Sequence, residues 1–218
     1  MKTIFYSVCG EGLGHCSRAL VLIKNMPNYR FFLFASGDGV NLAKKMNLPN
    51  LRVIEIEGVR FASVNGKVKT LGTVTNFINF WFKNYKYNKI TMTALLRITK
   101  PSLCIVDWEP SLARVCRNES IKYISIDSQH KFKFSKPVYS FGLNMYQRFA
   151  SLFCKFYIPK PIHNIISTFQ SSLIKETNTV TPVHCLIDPS SEGIKFDDFV
   201  LIYCKFQEIT DKIVFALI

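Results

Sequence analysis

The stretch that decides the fold runs from residue 8 to residue 18 and reads Val8-Cys9-Gly10-Glu11-Gly12-Leu13-Gly14-His15-Cys16-Ser17-Arg18. The apolar run at residues 4–8 predicts a buried strand, and residues 19–24 predict a helix. Three glycines at alternate positions let the backbone turn sharply and approach a ligand closely. The N-terminus of the following helix offers free N–H groups and the positive end of its dipole.

Further strand and helix signals alternate along the chain. Apolar runs predict strands at residues 31–35, 51–56, 103–106 and 123–126, and helical patterns lie at 40–46, 73–98 and 110–116. Residues 162–169 and 180–187 read as short strands or extended segments. Because the first strands are almost continuously apolar, the predicted fold class is α/β, a Rossmann-like parallel sheet with helices on both faces.

Polar residues follow three of the predicted strands. In an open parallel sheet the carboxyl ends of the strands share one edge, and ligands bind there. We therefore expect a candidate site at this edge that contains Glu11, His15, Asp107, Glu109, Gln129 and His130.

Three of these side chains also have a structural alternative. His15 is a candidate base or ligand, but it could equally make a hydrogen bond at the helix start. Asp107 and Glu109 are candidate general bases, and either could instead cap the helix that Pro110 begins. The glycine stretch is not a dinucleotide fingerprint, because His15 stands where that pattern needs glycine, and no Gly-Lys-Ser/Thr follows to make a phosphate-binding loop.

The charge of the chain bounds its partners. With 28 Lys and Arg against 15 Asp and Glu, the net charge is +13, which favours anionic partners. The basic residues are spread along the chain, so no nucleic-acid partner is predicted. Residues 141–157 predict an amphipathic helix that lies either on an acidic membrane or on its own sheet. The stripe of Phe77, Trp81 and Tyr85 is predicted to be core.

Cysteine usage and hydropathy bound the compartment. The seven cysteines form no CxxC pair, so neither a zinc site nor another metal site is predicted, and a reducing compartment is expected. No stretch of about 18 apolar residues predicts a membrane span, and glycines interrupt the first apolar run too early for a signal peptide. The predicted location is cytoplasmic, with peripheral association at the inner face of the cytoplasmic membrane as an option.

Three ordered motifs resemble a known family. Residues 10–18, Asp107-Trp108-Glu109-Pro110 and Ser125-Ile126-Asp127-Ser128-Gln129-His130 are similar, in order and approximate spacing, to motifs of GT-B glycosyltransferases related to the MurG type. The nearest resemblance is to an archaeal and bacterial group of sugar transferases, and it covers roughly residues 1–205.

The resemblance implies two Rossmann-like domains that face each other across a cleft, one for the acceptor and one for a nucleotide-sugar donor. It implies transfer of the sugar to an envelope or glycoconjugate acceptor, a glycan or a lipid-linked molecule, with no cofactor and no metal. The implied catalytic residues are His15, Asp107 and Glu109. The implied substrate-binding residues are Gly10, Glu11, Gly12, Gly14, Arg18, Gln129 and His130.

The predicted domains divide the chain unequally. Residues 1–187 form the acceptor-side domain, and residues 188–218 form a linker and the start of a truncated donor-binding domain, because a turn-rich stretch precedes a new strand at 199–204. The alternative is that this strand joins the first sheet. On the domain prediction, the chain alone is expected to be inactive. The other readings are a non-catalytic basic module on an acidic membrane surface and the remnant of a decayed gene.

Overall fold

The computed structural model describes residues 1–64, 67–135 and 141–185. The strands are β1 (Lys2–Val8), β2 (Tyr29–Ala35), β3 (Leu51–Glu55), β4 (Ser63–Val64), β5 (Lys67–Val68), β6 (Leu103–Asp107), β7 (Tyr123–Asp127), β8 (His163–Ser167) and β9 (Val180–Val183). The α-helices are α1 (Gly14–Lys24), α2 (Asp38–Met46), α3 (Thr70–Asn79), α4 (Tyr85–Thr99), α5 (Pro110–Asn118), α6 (Lys131–Phe134) and α7 (Phe141–Tyr157). The predicted linker and the strand at 199–204 lie outside the described residues.

Seven strands form one parallel sheet in the order β3-β2-β1-β6-β7-β8-β9. The predicted Rossmann-like sheet is therefore confirmed, and the two extended segments near its end become β8 and β9. The order places β1, β6 and β7 side by side, so their carboxyl ends meet at one point of the edge. The antiparallel pair β4-β5 forms a separate two-stranded sheet between β3 and α3 in the sequence.

Both faces of the sheet are buried, which explains the continuous apolar strands. Along β1, Phe5 packs on one face in a cluster with residues of α4 and α5, such as Met92 and Leu112. Its neighbour Tyr6 packs on the other face, in a cluster with residues of α1 such as Leu20. Successive side chains of a strand point to opposite faces, so a strand covered on both sides needs apolar residues at every position.

The long helix predicted for residues 73–98 is interrupted. Between α3 and α4 the backbone forms a π-helical segment, Phe80–Asn84, which inserts a wider turn into the helix. The aromatic rings of the stripe are still in contact along this helix. The ring centroids are 5.9 Å apart for Phe77 and Trp81, which meet edge to face, and 5.3 Å apart for Trp81 and Tyr85, which are tilted. Phe77 packs against the core beside α4 and α5, in agreement with the predicted core role.

Helix α7 is amphipathic, as predicted, but only part of its apolar surface is covered. Cys154 and Tyr157 are buried against the domain. In contrast, Phe149, Leu152 and Phe156 are 70%, 64% and 52% exposed. The helix therefore packs on its own domain along one face and leaves a second apolar face in solvent.

Candidate functional site

The candidate site forms where β1 and β6 end together. Val8 pairs with Asp107 in the parallel register, and the backbone N–H of Cys9 donates to the carbonyl oxygen of Asp107 at 2.9 Å. The glycine stretch then leads directly into α1, whose N-cap, Leu13, makes no side-chain hydrogen bond to the helix. Asp107 thus lies under the first turn of α1.

His15 and Asp107 form a close pair across this junction. Nδ1 of His15 lies 2.6 Å from Oδ1 of Asp107, although the two residues are 92 positions apart in the sequence. The Asp107 side chain is fully buried, and the His15 side chain is 13% exposed. The carboxylate is therefore shielded from water, while the imidazole remains partly accessible to solvent.

Arg18 holds the same carboxylate from one helical turn further along α1. Its Nε donates to Oδ2 of Asp107 at 2.8 Å, and its Nη2 donates to Oδ1 at 2.7 Å. Burial on its own lowers the pKa of Arg18, but the hydrogen bonds and charge of Asp107 outweigh it and raise that pKa above its usual value. The resemblance implied that Arg18 binds substrate, whereas its guanidinium is here bound to Asp107.

Nδ1 of His15 has two contacts, one with Oδ1 of Asp107 at 2.6 Å and a longer one with Nη2 of Arg18 at 3.2 Å. A proton on Nδ1 allows that nitrogen to donate to Asp107, which is its shortest contact. Nε2 then carries a lone pair, and it lies 3.4 Å from the amide Nε2 of Gln129, in the loop after β7. The predicted convergence of residues 15, 107 and 129 is confirmed by these contacts, and the basic nitrogen of the histidine points away from the carboxylate.

Glu109 lies on the other side of Trp108 and has a different environment. Its two carboxylate oxygens accept hydrogen bonds from the backbone N–H groups of Ser111 and Leu112, at 2.8 and 2.9 Å. Burial raises the pKa of Glu109, and these N–H groups act against that rise. Glu109 is therefore the N-cap of α5, which is the structural role that the sequence had left open for it beside that of a general base.

Trp108 adopts a strained backbone conformation between these two carboxylates, with φ of 53°. A bulky residue rarely occupies this left-handed region. The turn sends Asp107 towards α1 and Glu109 towards α5. The turn also places the indole ring of Trp108 beside the ring of Tyr157 in α7, with the two ring centroids 4.9 Å apart and the ring planes tilted by 43°.

His130, for which the resemblance implied a substrate-binding role, is buried beside Asp127. Its side chain is only 1% exposed, and its Nδ1 lies 2.7 Å from Oδ2 of Asp127. Its backbone N–H donates to the other oxygen of Asp127, and the Ser125 hydroxyl donates to Oδ2. This pair fixes the start of the loop that carries Gln129.

The glycines have distinct local roles. A Cβ on Gly10 would lie 2.1 Å from Oγ and 2.6 Å from the carbonyl oxygen of Ser36, so glycine is required where the loops after β1 and β2 touch. Gly12 has φ of +75°, which favours glycine, whereas a Cβ on Gly14 would meet open space. Glu11 accepts a hydrogen bond from the backbone N–H of Phe61 at 2.9 Å.

Two cavities open beside this junction. The first, of about 210 Å³, is polar and is lined by Gly10, Glu11, Ser36, Gly37, Asp38, Val59 and Arg60. The second, of about 280 Å³, is lined by Val59, Phe61, Thr73, Val74, Phe77, Trp108, Phe153 and Tyr157. All of the second set except Thr73 are aliphatic or aromatic. The sequence did not predict this apolar groove, because its walls come from α3, α7 and two loops that only the fold brings together.

Within the described ranges, no group of three or more His, Cys, Asp or Glu side chains is placed to hold a metal ion. Over the same part of the chain, no helix has both the length and the apolar character that crossing a membrane requires.

Comparison with solved structures gives the same architecture. Phytolacca americana UGT2, complexed with UDP-2fluoro-glucose and pterostilbene, is 10% identical with a TM-score of 0.56, over 88% of this chain and 55% of that one. The glycosyltransferase SsfS6 of Streptomyces sp. SF2575 is 12% identical with a TM-score of 0.50, over 85% and 55%. MurG of Acinetobacter baumannii is 12% identical with a TM-score of 0.46, over 83% and 44%. The chain thus spans about half the length of these proteins.

Among curated proteins, none matches this sequence significantly. The family model described as Glycosyl transferase family 1 matches residues 2–203, which is most of the chain. The parallel sheet and the glycine turn agree with the GT-B fold of the structural matches. On this evidence the chain belongs to glycosyl transferase family 1 and has the Rossmann-like fold found in GT-B glycosyltransferases.

Proposed function

We propose that this chain supplies the acceptor side and the general base of a transferase that moves a sugar from a nucleotide-sugar donor to a hydroxyl group. The observation that carries the proposal is the contact of 2.6 Å between His15 and the buried Asp107. A histidine held in one tautomer by a carboxylate keeps a lone pair on its other ring nitrogen, which in His15 lies 3.4 Å from the Gln129 amide, and that lone pair can accept a proton.

In the proposed reaction, Nε2 of His15 takes the proton of the acceptor hydroxyl as its oxygen attacks the anomeric carbon. The bond between that carbon and the donor phosphate breaks, and the nucleoside diphosphate leaves with the electron pair. Asp107 stabilises the imidazolium that forms. The uncapped N-terminus of α1 offers N–H groups that offset the charge of the leaving diphosphate.

The acceptor site is proposed to include the apolar groove beside Trp108. Its cavity of about 280 Å³ lies next to the residue that follows Asp107, and its walls are aliphatic and aromatic apart from Thr73. Such walls favour an acceptor that carries an apolar portion. This supports a lipid-linked glycoconjugate of the envelope over a free sugar. One structural match, the Phytolacca UGT2, was solved with the acceptor-sized molecule pterostilbene.

The donor is proposed to bind mainly to a second domain that begins near residue 188. The chain covers 55% of the length of two GT-B matches, which agrees with one domain of two. Residues 1–187 would then be the acceptor-side domain, and the 218 residues alone would have no transferase activity. A transfer assay on the isolated chain tests this, because robust turnover of a nucleotide sugar would contradict it.

The test of the catalytic proposal uses the chain joined to a donor-binding domain. Replacing His15 by Ala is expected to reduce sugar transfer by about 10²–10⁴-fold, the usual contribution of a general base. The matched control is His163→Ala, which removes a histidine from β8, away from the end of β6. Transfer by the His15 variant at the wild-type rate would overturn the proposal.

A second candidate function is association with an acidic membrane surface without catalysis, and the exposed face of α7 favours it. Phe149, Leu152 and Phe156 are all more than half exposed, and such a face binds the interface of a bilayer. With a cytoplasmic location, the surface would be the inner face of the cytoplasmic membrane. Flotation with anionic vesicles tests this candidate: wild type should float, and Phe149→Gln with Leu152→Gln should not.

A further inference from the structure

A groove between α6 and α7 lies apart from the histidine site. It has a volume of about 570 Å³ and is lined by Phe132, Lys133, Asn144, Gln147, Arg148, Ser151, Leu152 and Lys155. Three of these side chains are cations, and none of the described residues that line it is a carboxylate. This composition distinguishes it from the basic groove on α4, whose lining includes Glu119.

Two of the three cations, Lys133 and Lys155, are close enough to affect one another. Burial lowers the pKa of Lys133, and the charge of Lys155 lowers it further. In the described part of the chain, no ion pair joins Lys133, Arg148 or Lys155 to an acid. The Lys133 ammonium instead lies 4.5 Å from the ring centroid of Phe134. The charge of Asp127 offsets part of the repulsion between Lys133 and Lys155, and a bound anion would relieve the rest.

The rest of the lining suits a tetrahedral anion. Ser151 contributes a hydroxyl, which can donate a hydrogen bond. Arg148 offers a fork of N–H groups that matches the oxygens of a phosphate. A phosphate monoester carries about −1.5 to −2 charges at neutral pH and the diester of a phospholipid headgroup carries about one, so either offsets part of the positive charge of the three cations.

We propose that the groove formed by Lys133, Arg148 and Lys155 is a binding site for a phosphoryl group. The phosphoryl group belongs either to a lipid headgroup or to a soluble phosphorylated compound. The exposed apolar face of α7 beside the groove, which includes Leu152, is the feature that connects the site to a lipid. This proposal does not depend on the transferase reaction, because none of its residues contacts His15 or Asp107 in the contacts described above.

The test uses the whole 218-residue chain and two probes. Inorganic phosphate is titrated by calorimetry, and vesicles of phosphatidylcholine with or without phosphatidylglycerol are tested by sedimentation. The variant is Arg148→Gln with Lys155→Gln, two exposed positions on the surface of α7. The matched control is Lys86→Gln with Lys89→Gln, which removes the same charge from α4.

We expect the α7 variant to lose affinity by about fivefold for each cation removed, and the α4 control to bind like wild type. If phosphate binds and anionic vesicles show no additional binding, the site takes soluble phosphorylated compounds. If vesicles bind only with phosphatidylglycerol, and only when Arg148 and Lys155 are present, the site takes a lipid headgroup. Equal losses in both variants, or no binding of either probe by wild type, would overturn the proposal.

Thermal unfolding of each variant separates binding from folding. Both substituted pairs lie on exposed helical positions, so the midpoint of unfolding should stay close to that of wild type. Addition of phosphate should raise the midpoint of wild type and of the α4 control but not that of the α7 variant, because only a ligand of the folded state stabilises it. A rise of equal size in all three proteins would also contradict the proposal.

Discussion

Arg18 holds both carboxylate oxygens of Asp107, with Nε 2.8 Å from Oδ2 and Nη2 2.7 Å from Oδ1. The carboxylate that orients His15 is thus itself held by two hydrogen bonds from Arg18, one of them to the same Oδ1 atom that His15 contacts. Asp107 is fully buried, and Arg18 is the cation that pairs with it.

Replacing Arg18 by Met should therefore destabilise the fold strongly. Removal of one member of a buried pair leaves an uncompensated charge, which costs about 3–5 kcal/mol. Urea unfolding measures the change in the free energy of unfolding. The control Arg30→Met, at an exposed position of β2, should change it by about 0.5 kcal/mol or less. Similar small changes in both variants would show that Arg18 does not hold Asp107 as described.

Gly10 and Gly14 should respond in opposite ways to alanine. At residue 10 the new Cβ would lie 2.6 Å from the backbone oxygen of Ser36, so the loops after β1 and β2 must separate. At residue 14 nothing lies within 4 Å, and alanine favours the helix by roughly 0.5–1 kcal/mol. Thermal unfolding should therefore show a lower midpoint for Gly10→Ala and an unchanged or higher one for Gly14→Ala. Equal effects would contradict the described contact.

Substitutions of Glu109 and Asp107 should have different effects, the first mainly on the stability of the fold and the second mainly on sugar transfer. Glu109→Ala removes the cap of α5 and should lower the free energy of unfolding by about 1–2 kcal/mol. In a protein that includes the donor-binding domain, its folded fraction should keep transfer within a few-fold of wild type. Asp107→Asn should lower transfer by roughly 10³-fold or more, since the tautomer of His15 would no longer be held. A comparable loss of transfer in the folded Glu109 variant would restore its role as a base.

Asp127 should make the free energy of unfolding depend on pH in the acidic range. Burial by itself raises the pKa of Asp127, but the charge of His130 and the hydrogen bonds from His130 and Ser125 outweigh it and hold that pKa below its usual value. A carboxyl with a lowered folded-state pKa stabilises the fold above its unfolded pKa, near pH 4, and that stability disappears as pH falls through the folded value.

The measurement compares the free energy of unfolding of wild type and Asp127→Asn between about pH 2 and pH 7. The difference should be greatest at neutral pH and should shrink below about pH 4. Asp38→Asn, at an exposed position, is the control. A difference that does not vary with pH would show that the charge of Asp127 is not what stabilises the loop.

Several features of the site followed from sequence because they depend on local rules. Apolar runs with intervening helices predict parallel strands, and parallel strands place their carboxyl ends together. This argument brought His15, Asp107 and Gln129 to one place, and the hydrogen bonds between them agree. The family resemblance, based on the same motifs, is confirmed by the match over residues 2–203.

Other assignments required the tertiary structure. The position of a residue after a strand does not determine whether its side chain is buried or which neighbour it faces. His130 and Gln129 are neighbours, yet one is buried on Asp127 and the other reaches His15. Asp107 and Glu109 were both open to a catalytic or a capping role. The turn at Trp108 sends them apart, so that Glu109 caps α5 and Asp107 meets α1.

By itself, the sequence determined the class of fold, the succession of strands and helices along the chain, and the edge of the sheet at which polar residues collect. These features depend on hydrophobic periodicity and on the placement of glycine, which act over a few residues. Only the tertiary structure decided which of those residues are in contact and that Arg18 donates hydrogen bonds to Asp107. It also decided that grooves form between α3 and α7 and between α6 and α7. The physical reason is distance along the chain. The partners of His15 lie 92 and 114 residues away, and only packing of the complete sheet sets their separation in space.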